Sequence, residues 1–228
     1  MGQDLKTVIA ALKAQSKPEN LAGMKRYGIK VDNALGLSMP VIREAAKKIG
    51  TDHALALQLW QTGIHDARIL AGLVADPKQI TDAQMENWVM DFDSWDVCDQ
   101  VCGSVFEKSP LAWRKVAEWA ARDEEFVKRA AFALLASLAW HDKKATDEQF
   151  VKALPLILKA STDDRNFVKK AVNWALRNIG KKNFYLNKEA LRSAQEIQKI
   201  DSKAARWVAV DALRELQSEA VQNRLQHR

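Results

Sequence analysis

Within thirteen positions, residues 91–103 (DFDSWDVCDQVCG), the chain places four aspartates, one tryptophan and both of its cysteines. Such a cluster could be a metal cage, a redox centre, a catalytic carboxylate with aromatic walls, or an ordinary helix start with a buried seam. Spacing begins to sort these. Cys98 and Cys102 are four residues apart, so on a helix they share a face, a poor geometry for a disulfide. No further cysteine exists to complete a tetrahedral site, and both read as small core residues. Hard cations need several oxygens converging on one point. Asp96 and Asp99 are spaced i, i+3 while Asp91 and Asp93 precede the helix, EF-hand spacing is missing, and the histidines are scattered at 53, 65, 141 and 227.

Most of the acidic knot is then expected to be N-terminal helix chemistry, with Asp91 and Asp93 capping free amides at the positive end of the dipole. Asp99 differs. For a helix starting near Ser94 it lies past the first turn, one i, i+4 step after Trp95, so a carboxylate and an indole project from one face.

The elements that must hold this pair are helical almost throughout. Nine glycines and five prolines read as falling between periodic runs rather than inside them. Thr81 with Gln84 and Thr146 with Gln149 have capping-box spacing, and Ser109–Pro110 looks like a cap with a first-turn proline. Gly50, Gly63 and Gly180 are natural stops. No run alternates strictly enough for a strand. EFVKRAAFALL (125–135) and NFVKKAVNWAL (166–176) superpose with Phe126 on Phe167, 41 positions apart. KAARWVAVDAL (203–213) is a looser third copy and DARILAGLVAD (66–76) a fourth. A helix-pair period near 40 predicts an all-α, right-handed HEAT-like helical-repeat solenoid, a single domain over 1–228 with a concave groove.

Lys128–Arg129, Lys169–Lys170 with Arg177, and Arg206 recur in register between the copies, while the acids cluster elsewhere. Stacked repeats would make them one basic stripe suited to a phosphate backbone, with Lys181 and Lys182 extending it. Net charge of +6 agrees in sign, and 47% hydrophobic with 28% charged residues indicates a globular chain. The start, MGQDLKTVIAALKAQSKPEN, lacks the order of a signal peptide and the serine or threonine of a myristoylation site, so the cytoplasm is the expected location. Trp60, Trp88, Trp113, Trp119 and Trp140 are expected in the core, whereas Trp207, after Arg206 at the matching turn of the last repeat, is left open between core and functional site.

DFDSWDVCD, FVKRAAFALLASLAWHDK and FVKKAVNWALRNIGKKN resemble the AlkD-like DNA alkylation repair glycosylases, built from HEAT-like repeats. The likeness runs from RYGIKVDNALGLSMP (26–40) to ARWVAVDALREL (205–216) and is strongest over 88–183. It implies a monomeric, cofactor-free bacterial enzyme that excises N3- and N7-alkylated purines from double-stranded DNA without flipping or enclosing the base. Carried over by motif, the catalytic carboxylate falls on Asp99, its aromatic companions on Trp95 and Trp174, and a phosphate-gripping arginine on Arg129. Two other functions suit the same architecture: a non-catalytic binder of DNA structures and a protein-interaction scaffold.

Overall fold

The structure is a computed structural model and describes residues 4–227; residues 1–3 of the N-terminal motif lie outside them. Regular structure among the described residues is entirely helical. The helices are α1 (Leu5–Ala14), α2 (Leu21–Arg26), α3 (Met39–Ile49), α4 (His53–Gln61), α5 (His65–Val74), α6 (Asp82–Met90), α7 (Trp95–Ser104), α8 (Ala112–Ala120), α9 (Glu125–His141), α10 (Asp147–Ala160), α11 (Asn166–Gly180), α12 (Phe184–Gln198), α13 (Lys203–Leu216) and α14 (Glu219–Gln226). They form two compact units, Met1–Leu111 and Ala112–Arg228.

In the first unit α5 packs against α3, α4 and α7. Its centre is aromatic: Trp60 and Trp88 stack at 4.1 Å and 5°, and Phe92 meets Trp60 edge-on at 5.9 Å. Such pairs add about 0.5–1.5 kcal/mol beyond their buried area. Gly72 sets how closely α7 approaches α5. A Cβ there would lie 3.0 Å from Val101 Cγ2 and 3.2 Å from Ser104 Oγ. In its absence the Ser104 hydroxyl donates to the Gly72 carbonyl at 3.0 Å. A small residue on one helix thus fixes the position of the helix that carries Trp95 and Asp99.

In the second unit α9, α11 and α13 pack in one row, with α8, α10 and α12 against them. The repeat read from the sequence is physical here. Phe126 and Phe167 stack, centroids 5.6 Å apart at 30°. The Asn178 side chain donates to the Ala136 carbonyl at 3.1 Å, and Arg165 Nη1 to the Asp123 carbonyl at 2.6 Å, each linking equivalent turns of successive repeats.

The caps divide. Thr146 and Gln149 form a complete capping box, whereas Thr81 accepts from the Gln84 amide while buried Gln84 Nε2 has no partner. Ser109–Pro110 is not a helix cap: α8 begins at Ala112, and the Ser109 hydroxyl closes a turn onto the Leu111 amide at 3.2 Å. Gly50 and Gly63 do end helices with positive φ. Gly180 is no stop of that kind but the last residue of α11, where a Cβ would meet both Leu216 δ-methyl groups at 2.7 Å. Pro155 lies inside α10 rather than between helices.

Trp60, Trp88 and Trp119 are core, and Trp113 is half-buried edge-on to Phe150 at 5.1 Å. Trp140 is not core: it is 46% exposed, with the Arg224 guanidinium 5.1 Å from its ring centre.

Candidate catalytic and nucleic-acid site

The segment DFDSWDVCD bends from α6 into α7. Ser94 is extended at the N-cap and fully buried, and its hydroxyl accepts from the Lys30 amide at 2.9 Å. Trp95 Nε1 donates to the Tyr27 carbonyl at 3.0 Å. The turn at residues 27–30 is therefore clamped to the first residues of α7, and Gly28 provides the left-handed backbone that turn requires. Neither link is visible in the sequence, since the partners are 64 and 68 residues apart.

Asp91 and Asp93 do not cap α7. Asp91 ends α6, where it accepts from Trp60 Nε1 at 2.8 Å and faces Arg68 at 3.4 Å. Asp93 faces Lys30 at 3.6 Å. Backbone direction explains this: both residues lie in the turn before Ser94, where tertiary partners compete with the helix amides. Asp96, in the first turn, accepts from the Val97 amide at 3.0 Å and pairs with His65 Nε2 at 2.9 Å. Burial pulls the His65 imidazole toward its neutral form. The hydrogen bond that the imidazole donates to Asp96 and the charges of Asp96, Asp66 and Asp93 outweigh that, and the histidine's proton affinity ends above its ordinary value. His65 is an unforeseen support of the site; its only sequence signal is a place at the start of a repeat helix.

On α7 itself, Val97, Cys98, Val101 and Cys102 are buried, while Trp95 and Asp99 are half-buried. The expected pair thus shares the accessible side of a helix whose other side is sealed into the core. Both cysteines are buried free thiols. Among the described residues no group of three or more His, Cys, Asp or Glu is placed to hold a metal ion.

The second unit carries the other expected residues. Arg129 is 5% exposed, and its Nη1 donates to the Phe167 carbonyl at 2.7 Å, across the α9–α11 junction where Phe126 stacks on Phe167. Trp174, half-buried, lies two turns farther along α11.

The basic stripe divides into two groups. Lys128 lies 3.6 Å from Asp163 and 3.7 Å from Asp123. Arg177 pairs with Glu215 and lies 3.7 Å from Asp211, and Lys181 donates to Glu215 at 2.7 Å. Lys182 donates to the Asp142 carbonyl at 2.8 Å above the Phe150 ring. The acids do not cluster elsewhere, because the next repeat brings Asp163, Asp211 and Glu215 back against these cations. Burial raises the Glu215 carboxyl, but hydrogen bonds from Lys181 and Arg177 bring it below its ordinary value. Lys170 and Arg206 are instead exposed, and Lys169 sits with its ammonium 5.2 Å from the Trp207 ring centre.

Comparison with known proteins gives the family and the fold. The family model described as DNA alkylation repair enzyme matches residues 8–216. A solved structure from a family related to the HEAT-like repeat DNA glycosylases, with affinity for branched DNA structures, superposes with a TM-score of 0.81 at 23% identity. That match covers 98% of this chain and 96% of the other, and shows the fold to be of the HEAT-like repeat glycosylase type. A designed armadillo repeat protein in complex with a (KR)4 peptide reaches a TM-score of 0.37 at 16% identity, covering 81% of this chain and 90% of its own. Curated proteins give no match.

Proposed function

Because this chain belongs to the DNA alkylation repair enzyme family, we propose that it is a monofunctional DNA glycosylase that hydrolyses the N-glycosidic bond of N3- and N7-alkylated purines in duplex DNA. The observation that carries this reading is the α7 pair, a carboxylate and an indole one turn apart on the open side of an otherwise buried helix.

Glycoside hydrolysis ordinarily needs two carboxylates, one to protonate the leaving group. A purine alkylated at N3 or N7 already carries positive charge. When its bond to C1′ breaks, the electron pair goes to the base, which departs neutral without a general acid. What remains is an oxocarbenium-like sugar. Asp99, as a carboxylate, offsets that charge and orients the water that adds to C1′ and sheds its proton. Trp95 and Trp174 present π-faces to the cationic nucleotide, worth about 0.5–2 kcal/mol each. Arg129, at the α9–α11 junction, grips a neighbouring phosphate. With backbone and sugar held and the base unenclosed, bulky adducts are tolerated and no cofactor takes part.

The test is release of free base from duplexes containing N7-methylguanine or N3-methyladenine, with uracil and hypoxanthine as neutral controls. Only the cationic lesions should be released. Fast release of uracil would require a general acid and would overturn the one-carboxylate mechanism. Binding to DNA structures without excision is the second reading, favoured by the affinity for branched DNA of the related protein of this fold. DNA binding without base release would establish it.

A further inference from the structure

The exposed side of α13 carries a group of residues that excision does not use. Lys203, Trp207, Val210 and Arg214 fall at i, i+4, i+7 and i+11, so they line one side of the helix. Trp207 is 41% exposed and Val210 50% exposed. With Arg206 and Asp211 they border an open cleft of about 380 Å³. Lys169 reaches over from α11, and Asp211 is occupied by Arg214 and Asn173. The surroundings of the ring are thus dominated by cations, with the one acid already bonded.

An indole on a helix surface leaves apolar area in water, and a partner that covers it gains the corresponding free energy. The charge around it selects a polyanion, and the ring selects a partner with flat π-faces. DNA meets both conditions only where a base is released from pairing, because paired bases hide their faces in the stack while phosphates line the outside. We propose that Trp207 is a stacking platform for an unpaired nucleobase of DNA, with Lys169, Lys203 and Arg206 holding the flanking phosphates. The site rests on the DNA-binding part of the reading above and is independent of excision. It suits a substrate in which a repair intermediate, gap or branch supplies unpaired nucleotides beside duplex.

Fluorescence anisotropy at fixed salt, with a fully paired duplex and the same duplex carrying a short bulge of unpaired thymidines, tests the proposal. Wild-type protein should bind the bulged duplex about tenfold more tightly, the range a single base–aromatic stack supports. Trp207→Leu, which keeps apolar bulk but lacks a π-face, should bring the ratio near one. Trp207→Phe should keep part of the preference, and Lys203→Gln should weaken both duplexes alike. Absence of a bulge preference in the wild type, or its retention in Trp207→Leu, would overturn the site. So would displacement of bulged DNA by polyglutamate as readily as by unlabelled bulged DNA, since the patch would then read charge alone. Loss of base release with the bulge preference intact would remove the glycosylase reading and leave this site standing. Absence of binding to any DNA would remove both.

Discussion

Asp99 is the residue on which the proposed chemistry turns, because no second carboxylate is asked to share the work. Asp99→Asn keeps shape and hydrogen bonding but removes the charge that opposes the sugar cation. Loss of one such contact typically lowers the rate about a hundred- to a thousandfold. Single-turnover base release should show that fall while DNA affinity holds; full activity in the variant would assign the chemistry to another group. The tryptophans separate by burial. Trp119→Ala should cost the roughly 3–5 kcal/mol typical of a buried large aromatic, because that ring is fully enclosed. Trp95→Ala and Trp174→Ala, both half-buried, should cost clearly less in urea unfolding yet lower excision. A Trp174→Ala loss equal to that of Trp119→Ala would make its ring a core residue.

At the level of the helices, the start of α7 depends on a titrating contact. His65 has its proton affinity raised in the folded state by Asp96 and its acidic neighbours, against the pull of burial. Its contribution is therefore fully present below the ordinary histidine value near 6.5 and is lost as pH rises through the folded value. Hydrogen exchange at the α7 amides should accelerate over that span beyond its intrinsic pH dependence, and His65→Gln should flatten the response. An unchanged profile in His65→Gln would sink the assignment. The α11–α13 contact gives a steric prediction. Gly180→Ala drives a methyl group into Leu216 and Ala190, at 2.7 and 3.0 Å, and overpacking of this kind typically costs about 1–3 kcal/mol. Thermal melting should show the loss, and a combined Leu216→Ala change should recover part of it.

Over the whole molecule, net charge overstates the cations available to DNA. Arg177 and Lys181 share Glu215, and Lys128 lies between two aspartates. Lys170 and Arg206, both exposed, are members of the stripe that should meet phosphate. Lys170→Gln or Arg206→Gln should lower duplex affinity irrespective of sequence and reduce the slope of log affinity against log salt by about 0.9 each. Arg177→Gln should act chiefly on stability, because Glu215 is held below its usual carboxyl range by Lys181 and Arg177 together. A near-zero salt slope in the unmodified protein would exclude a phosphate-dominated interface.

Local periodicity and motif were enough to give helices, the repeat of 41 positions and the Trp95–Asp99 pairing, because residues one helical turn apart must share a face whatever surrounds them. The stacking of Phe126 on Phe167 is that repeat expressed in space. Tertiary structure decided what each face meets. Asp91 and Asp93 bond to Trp60 and Lys30 instead of to α7 amides, and Trp140 lies outside the core. Gly72 and Gly180 mark close approach between helices, a constraint that no residue pattern on one helix expresses. The stripe of cations was legible as a pattern, but its partial neutralisation was not. Glu215 lies 34 and 38 residues from the cations it holds, Lys181 and Arg177. Coulomb attraction depends on distance in space, which only the packing of one repeat on the next sets.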